Sequence, residues 1–232
     1  MQYVKIKDSI VEQIEAGMLS PRQKLPAERK LAESFDTTRV TLREALSLLE
    51  AEGRIYREDR RGWFISPQPL RYDLSQAPNF ADMAQAQNRS AKTDLLTAKG
   101  ILADKLAARL LKLPPFTDVY RIDQVRYLED RPVAYVTKYI RSDRFPNLLK
   151  YDLRQPITQI YLDSFAVSYH TSSYRIATTS LLGDTAQALR ATVGTPALVV
   201  ERVNYDRHGE LIDCVIESWR HDAISIESVV EK

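Results

Sequence analysis

Arg39 and Arg43 stand four residues apart in the stretch Thr38-Arg39-Val40-Thr41-Leu42-Arg43, with Thr38 and Thr41 beside them. On a helix, residues three and four apart share a face, so this spacing predicts two guanidinium groups and two hydroxyls projecting together. Arginine near the start of such a helix can bond guanine O6 and N7 in two parallel bonds, while threonine hydroxyls and helix-start amides suit phosphate oxygens. Arg29 is placed to reach the same backbone or a base edge, and Arg60-Arg61-Gly62 forms a small basic tip suited to a phosphate or the minor groove. Double-stranded DNA fits this chemistry.

A second set of residues points to a small ligand. In a strand expected near 211–220, Asp213, Glu217 and Trp219 share one face by period-two alternation, and Ile212, Cys214 and Ile216 take the other. An apolar face against a core and an acidic, aromatic face opposite it are what a half-open pocket presents. Arg126, in a strand expected near 119–128, is a candidate clamp for phosphate or phosphonate, which guanidinium pairs with bidentately. Asn79-Phe80-Ala81 falls where a helix is expected to begin, and free amides there bind anions. His170 and Arg175 are further pocket candidates.

Catalytic signatures are missing. The three histidines and the single Cys214 show no metal-ligand spacing, and there is no Gly-x-Gly-x-x-Gly, P-loop or Gly-x-Ser-x-Gly elbow. Neither an enzyme nor a metal or other cofactor is expected. One cysteine gives no disulfide, the amino terminus lacks an apolar signal core, and no run of eighteen apolar residues occurs, so a cytoplasmic protein without membrane contact is expected. Net charge carries little: 33 basic against 31 acidic residues leave +2, so the DNA argument rests on where the arginines sit.

Elements must position these groups. Tyr3, Ile6, Ile10, Ile14 and Met18 predict a helix over 3–19 stopped at Gly17. Leu25-Pro26-Ala27-Glu28 predicts a second helix with proline at its first position, and Leu42, Leu46 and Leu49, with Ala45, predict a third that starts at the threonines. Two β-prone pieces at 54–57 and 62–65 flank a polar stretch and predict a hairpin. Helix, helix, short turn, helix and hairpin within 66 residues is the layout of a winged helix-turn-helix. Residues 67–78 read as a linker with Pro67 and Pro69, and residues 79–232 as a second domain. In it, helices are expected near 79–87, 98–111, 157–165 and 184–192, and strands near 119–128, 133–140, 172–181, 197–206 and 211–220. The fold class expected is α+β, with an antiparallel sheet.

Residues Leu25 to Ala32, Thr38 to Leu46, Glu52-Gly53 and the glycine-containing wing resemble the DNA-binding domain of GntR-type bacterial regulators, over nearly all of 5–66. The resemblance implies DNA contacts by Arg29, Thr38, Arg39, Thr41, Arg43 and Gly62. Asp36-Thr37 replaces the family's usual glycine-valine in the turn, and Arg60 replaces a wing glycine. Val119-Tyr120-Arg121-Ile122, Val125-Arg126-Tyr127, Arg144-Phe145-Pro146-Asn147-Leu148, Glu201 to Asp206 and Glu217 to Asp222 are similar to the UTRA effector domain of the HutC subgroup. That resemblance implies a homodimer on a palindromic operator, repression relieved by a small anionic effector, and a pocket near Asn79, Phe80, Ala81, Arg126, Thr158, Asp213 and Trp219. Gln124 and Val136 stand where sugar-phosphate-binding relatives carry arginine and glutamate. A narrower resemblance, in Asp59 to Pro67 and Trp219 to Asp222, is to regulators of phosphonate use, notably of 2-aminoethylphosphonate.

Overall fold

The computed structural model describes residues 1–75 and 79–229; positions 76–78, the end of the expected linker, and 230–232 lie outside the described residues. The chain forms two compact units: Met1–Ala77 with Ser180–Pro196 and Arg220–Lys232, and Pro78–Thr179 with Ala197–Trp219.

The first unit is built on α1 (Gln2–Glu15), α2 (Glu28–Ser34), α3 (Arg39–Ala51) and the hairpin β1 (Ile55–Glu58) with β2 (Gly62–Ile65). Leu42, Ala45, Leu46 and Leu49 of α3 are wholly buried and pack with Ile6, Ile10, Leu31, Ile55, Trp63 and Ile65. This apolar stripe fixes which way α3 faces, because only its opposite side can stay wet. Thr38 caps α3, its hydroxyl accepting the Thr41 amide at 3.2 Å. Asp36, in the turn, adopts a left-handed backbone (φ 46°), as the residue replacing a turn glycine must. Two boundaries differ from expectation. The first helix stops at Glu15, leaving Met18 exposed beyond the left-handed Gly17. The second starts at Glu28 after the extended Ala27, so Pro26 lies outside it.

Three further segments complete this unit. Within the stretch read as a linker, β3 (Leu70–Asp73) pairs in parallel with β10 (Ile224–Glu227). A turn containing α7 (Gly183–Ala188) supplies the Arg190 carbonyl to the Asp59 amide at 2.8 Å. Arg220, wholly buried, donates to the carbonyls of Leu189 (2.9 Å) and Arg57 (2.7 Å) and lies over the Tyr56 ring at 5.5 Å. Ser66 donates to Asp222 at 2.9 Å, close to the same point.

The second unit is a six-stranded sheet in the order β4 (Ala91–Leu102), β5 (Asp118–Leu128), β6 (Arg131–Arg141), β9 (Leu211–Arg220), β8 (Pro196–Tyr205), β7 (Thr171–Ser180). Strands β4, β5, β6 and β9 run antiparallel. Helix α5 (Lys105–Leu111) packs with Val119, Tyr139 and Cys214, and α6 (Ile157–Phe165) with Ile122, Ile140, Phe145 and Ile212. A short helix, α4 (Phe80–Gln85), precedes β4. Residues 98–111, expected as one helix, divide into the end of β4 and α5, separated by Asp104, which caps α5 by accepting the Ala107 amide at 2.8 Å. β4 is an edge strand, exposed or half-buried on both faces and bulged between Leu95 and Thr97, so it has no alternating burial to display. Ile212 also departs from expectation: it packs with the α6 cluster, while Cys214 and Ile216 pack with α5.

The turn joining β8 to β9 is organised by one carboxylate. Asp206 accepts the His208 and Glu210 amides at 2.8 and 2.9 Å and the Arg144 guanidinium at 2.7 Å. The Arg144 bond, with these amides, pulls its pKa to about 2. A carboxyl whose folded pKa is depressed stabilises above its unfolded value and loses that contribution as pH falls through the folded one. Asp206→Asn is therefore expected to lower the urea midpoint at neutral pH, with the deficit shrinking as pH drops from about 4 towards 2. A deficit constant over that range would show that the charge contributes nothing.

Candidate DNA-reading face and effector site

On the first unit, Arg29, Thr38, Arg39 and Arg43 are exposed and Thr41 is half-buried. Arg39 is the first residue of α3 and, among the described residues, makes no hydrogen bond, ion pair or ring contact. Arg43, one turn on, is held by Glu28 at 2.8 Å, and Glu28 also accepts the Trp63 indole at 3.1 Å. Burial opposes the Glu28 charge, but these two bonds hold its carboxyl below the ordinary range. Arg29 lies 3.8 Å from Glu33. In the wing, Arg60 is almost fully exposed and left-handed (φ 57°) at the position where the family resemblance expects glycine, so the turn geometry is retained at some backbone strain. Gly62 is also left-handed (φ 101°). Arg61 is drawn to Glu58 and lies over the Phe64 ring at 5.7 Å, directed back along the hairpin.

On the second unit, Phe80, Arg126, Glu217 and Trp219 meet. Arg126 pairs with Glu217 at 2.9 Å, and its guanidinium lies 5.1 Å from the Phe80 ring centre and 5.8 Å from that of Trp219. The Trp219 indole donates to the other Glu217 oxygen at 2.8 Å, and the Phe80 and Trp219 rings meet edge-on at 6.0 Å. Register explains the convergence: Arg126 opposes Ala134 and Ala134 opposes Trp219, with Gln124, Val136 and Glu217 forming the next row. Burial works against the Glu217 charge, yet Arg126, Arg202 and the indole bond outweigh it and hold the carboxyl below its ordinary pKa. Further along the same face Asp213, wholly buried, accepts from Tyr161 (2.9 Å), Tyr169 (2.6 Å) and Asn204 (2.6 Å).

Residues 2–65 match the model of bacterial regulatory proteins of the gntR family, and residues 86–225, more than half the chain, match the UTRA domain. The chain belongs to the GntR family and carries a UTRA domain. YihL, an HTH-type transcriptional regulator of Escherichia coli K12, is 28% identical over 222 residues, 95% of this chain and 94% of its own. The transcriptional repressor NagR of Bacillus subtilis is 27% identical over 95% of this chain and 90% of its own. Among solved structures, PhnF of Mycobacterium smegmatis shares the fold with a TM-score of 0.68 and 23% identity, covering 97% of this chain and 99% of that one. The named relatives are transcriptional regulators, and no helix among the described residues is long and apolar enough to cross a membrane.

Not every residue expected in the UTRA pocket joins the Arg126 cluster. Asn79 caps α4, its side chain occupying the Asp82 amide at 3.0 Å, and α4 is only six residues long, so little of an anion-binding helix start is left; Ala81 is exposed beside it. Thr158 is exposed on α6, and His170 is exposed ahead of β7. Arg175 pairs with Glu201 at 3.3 Å, a carboxylate also 3.5 Å from Arg109 of α5, which puts Arg175 on the sheet face away from Arg126. Sequence reasoning passed over Lys138, Arg202, Asn204, Tyr161 and Tyr169. Lys138 was within reach, because alternation from Val136 puts it on the same sheet face as Arg126 and Glu217.

The pair predicts a measurable asymmetry. Removing one member of a buried ion pair leaves the other charge unsolvated, at a cost of about 3–5 kcal/mol. Arg126→Met should lose stability on that scale by chemical denaturation, and Arg126→Met/Glu217→Leu should regain most of it. A double variant no more stable than the single one would mean that Glu217 does not depend on Arg126.

Proposed function

We propose that this GntR-family chain is a repressor acting as a homodimer: α3 of each subunit enters the major groove of a pseudo-palindromic operator, and a small anionic effector on the Arg126 face releases the DNA. The observation that carries this reading is Arg39. It stands exposed at the first position of a helix whose opposite side is wholly buried, and among the described residues no group engages it. A guanidinium so placed is available to a base edge, while Arg43 must leave Glu28 or share it. Arg29, Thr38, Thr41, Arg60, Arg61 and Gly62 serve the phosphate backbone and wing contacts. Two relatives named as repressors, NagR and a probable fructoselysine operon repressor of Shigella flexneri, favour repression as the sign.

For the effector, the mixed charges of the Arg126 face favour a zwitterion carrying a phosphonate and an amine, of which 2-aminoethylphosphonate is the simplest case. The Phe80 and Trp219 rings, buried against Arg126, would give a small organic body aromatic neighbours. A sugar phosphate is less well supported, since Gln124 and Val136 replace the arginine and glutamate that such ligands use in the resembling regulators. The ligand moves the DNA equilibrium only by its differential affinity for the two states.

Arg39→Ala is expected to cost on the order of 1–3 kcal/mol, concentrated at one base position of the operator. Mobility shifts against a set of single-base operator variants check this; unchanged affinity and unchanged preference would remove α3 from the interface. Titration calorimetry of the full chain with 2-aminoethylphosphonate should show saturable heat, and silence at millimolar ligand would discard that effector.

A further inference from the structure

Arg126 is the obvious anion clamp, but its charge is already held by Glu217 at 2.9 Å, between two aromatic rings. Four residues along β6 from Ala134, which faces Arg126, lies a cation in a different situation. Lys138 of β6 opposes Ile122 on β5 and Val215 on β9, in the same inward-facing set as Arg126, Val136, Ile140, Asp213 and Glu217. Among the described residues, its ammonium makes no hydrogen bond, ion pair or ring contact. The residue is half-buried, and its nitrogen is not among the sealed side-chain atoms that lack a partner.

We propose that Lys138, and not Arg126, meets the anionic group of the effector, and that it does so by taking up a proton as the ligand binds. The inference rests on the effector reading given above and deepens it. The charged groups facing Lys138 are Arg126 on β5, Arg202 on β8, and Asp213 and Glu217 on β9; the Tyr161 and Tyr169 hydroxyls complete the surroundings by bonding Asp213. With Lys138 protonated, three cations face two carboxylates, and the surplus positive charge lies on the one cation without a partner. With Lys138 neutral, the face is balanced and holds nothing for an anion. Desolvation, helped by Arg126, lowers the lysine pKa to about 8, so the empty site is divided between these states near that pH. An oxyanion beside the ammonium raises its pKa and draws a proton from solvent.

The test uses the full chain and 2-aminoethylphosphonate and methylphosphonate as probes, titrated by calorimetry at pH 8 in buffers of differing ionisation enthalpy. The wild type should take up about half a proton per ligand, the deprotonated fraction of a group titrating near that pH. Lys138→Arg, which stays charged, should bind the probe with that uptake abolished. Lys138→Met, which keeps the length without the charge, should lose tenfold or more in affinity. Equal proton uptake by wild type and Lys138→Arg, or Lys138→Met binding within twofold of wild type, overturns the role of Lys138 and leaves the anionic effector standing. Silence of the wild type with both probes overturns the phosphonate reading given above and the lysine's part in it.

Discussion

Glu217 is a carboxylate with almost no access to water, and this side of the sheet is organised by the cost of keeping it charged. One oxygen is held by Arg126 and the other by the Trp219 indole, so both lone-pair regions have donors. Arg126 is in turn flanked by two rings whose faces favour a cation. Phe80 comes from a short helix, Arg126 from β5, and Glu217 and Trp219 from β9, so one ion pair ties three separated stretches of chain together. Asp213, at the other end of the face, meets the same demand with neutral donors. Two buried anions on one strand are thus solvated in two ways, by a cation and by hydroxyls and an amide.

The head presents the opposite arrangement. Its arginines are wet, and what distinguishes them is how firmly each is already engaged. Glu28 restrains Arg43 and Glu58 restrains Arg61, while Arg39 extends into solvent and Arg60 does so with Asp59 3.7 Å away. Pre-paired side chains lose less rotational freedom when a phosphate or base replaces the partner, but they must first give that partner up. The near-neutral charge of the first seventy residues is explained in part by these acidic partners, which set the arginines' directions at the expense of net charge.

Much of this was legible in the residues, for physical reasons that differ by element. Strands β5, β6 and β9 are central and read clearly from β-branched and aromatic runs. The stripe at Leu42, Leu46 and Leu49 gave the orientation of α3, because helical periodicity reports burial directly. β4 was missed because an edge strand open on both faces leaves no periodic trace, although Asp104 marked the true start of the following helix. The clustering of Arg126 with Trp219 depends on pairing across three strands, which no local pattern encodes. Arg175 was misplaced for the same reason: its face of the sheet is set by β7 joining β8, and Glu201 is its partner there. The pairing of β3 with β10 joins residues about 150 positions apart and lay beyond any reading of periodicity.

Trp219 and Arg220 are adjacent, and their side chains serve different compact units: the indole bonds Glu217, and the guanidinium ties the Leu189 and Arg57 carbonyls. Successive residues on a strand point to opposite sides, so this division of labour depends on spacing as much as on residue type. Inserting or deleting a single residue at the end of β9 would present a cation where the ring belongs and a ring where two carbonyls wait for donors. Drift in this segment is therefore constrained in length more tightly than in composition, and viable descendants should vary here by substitution alone.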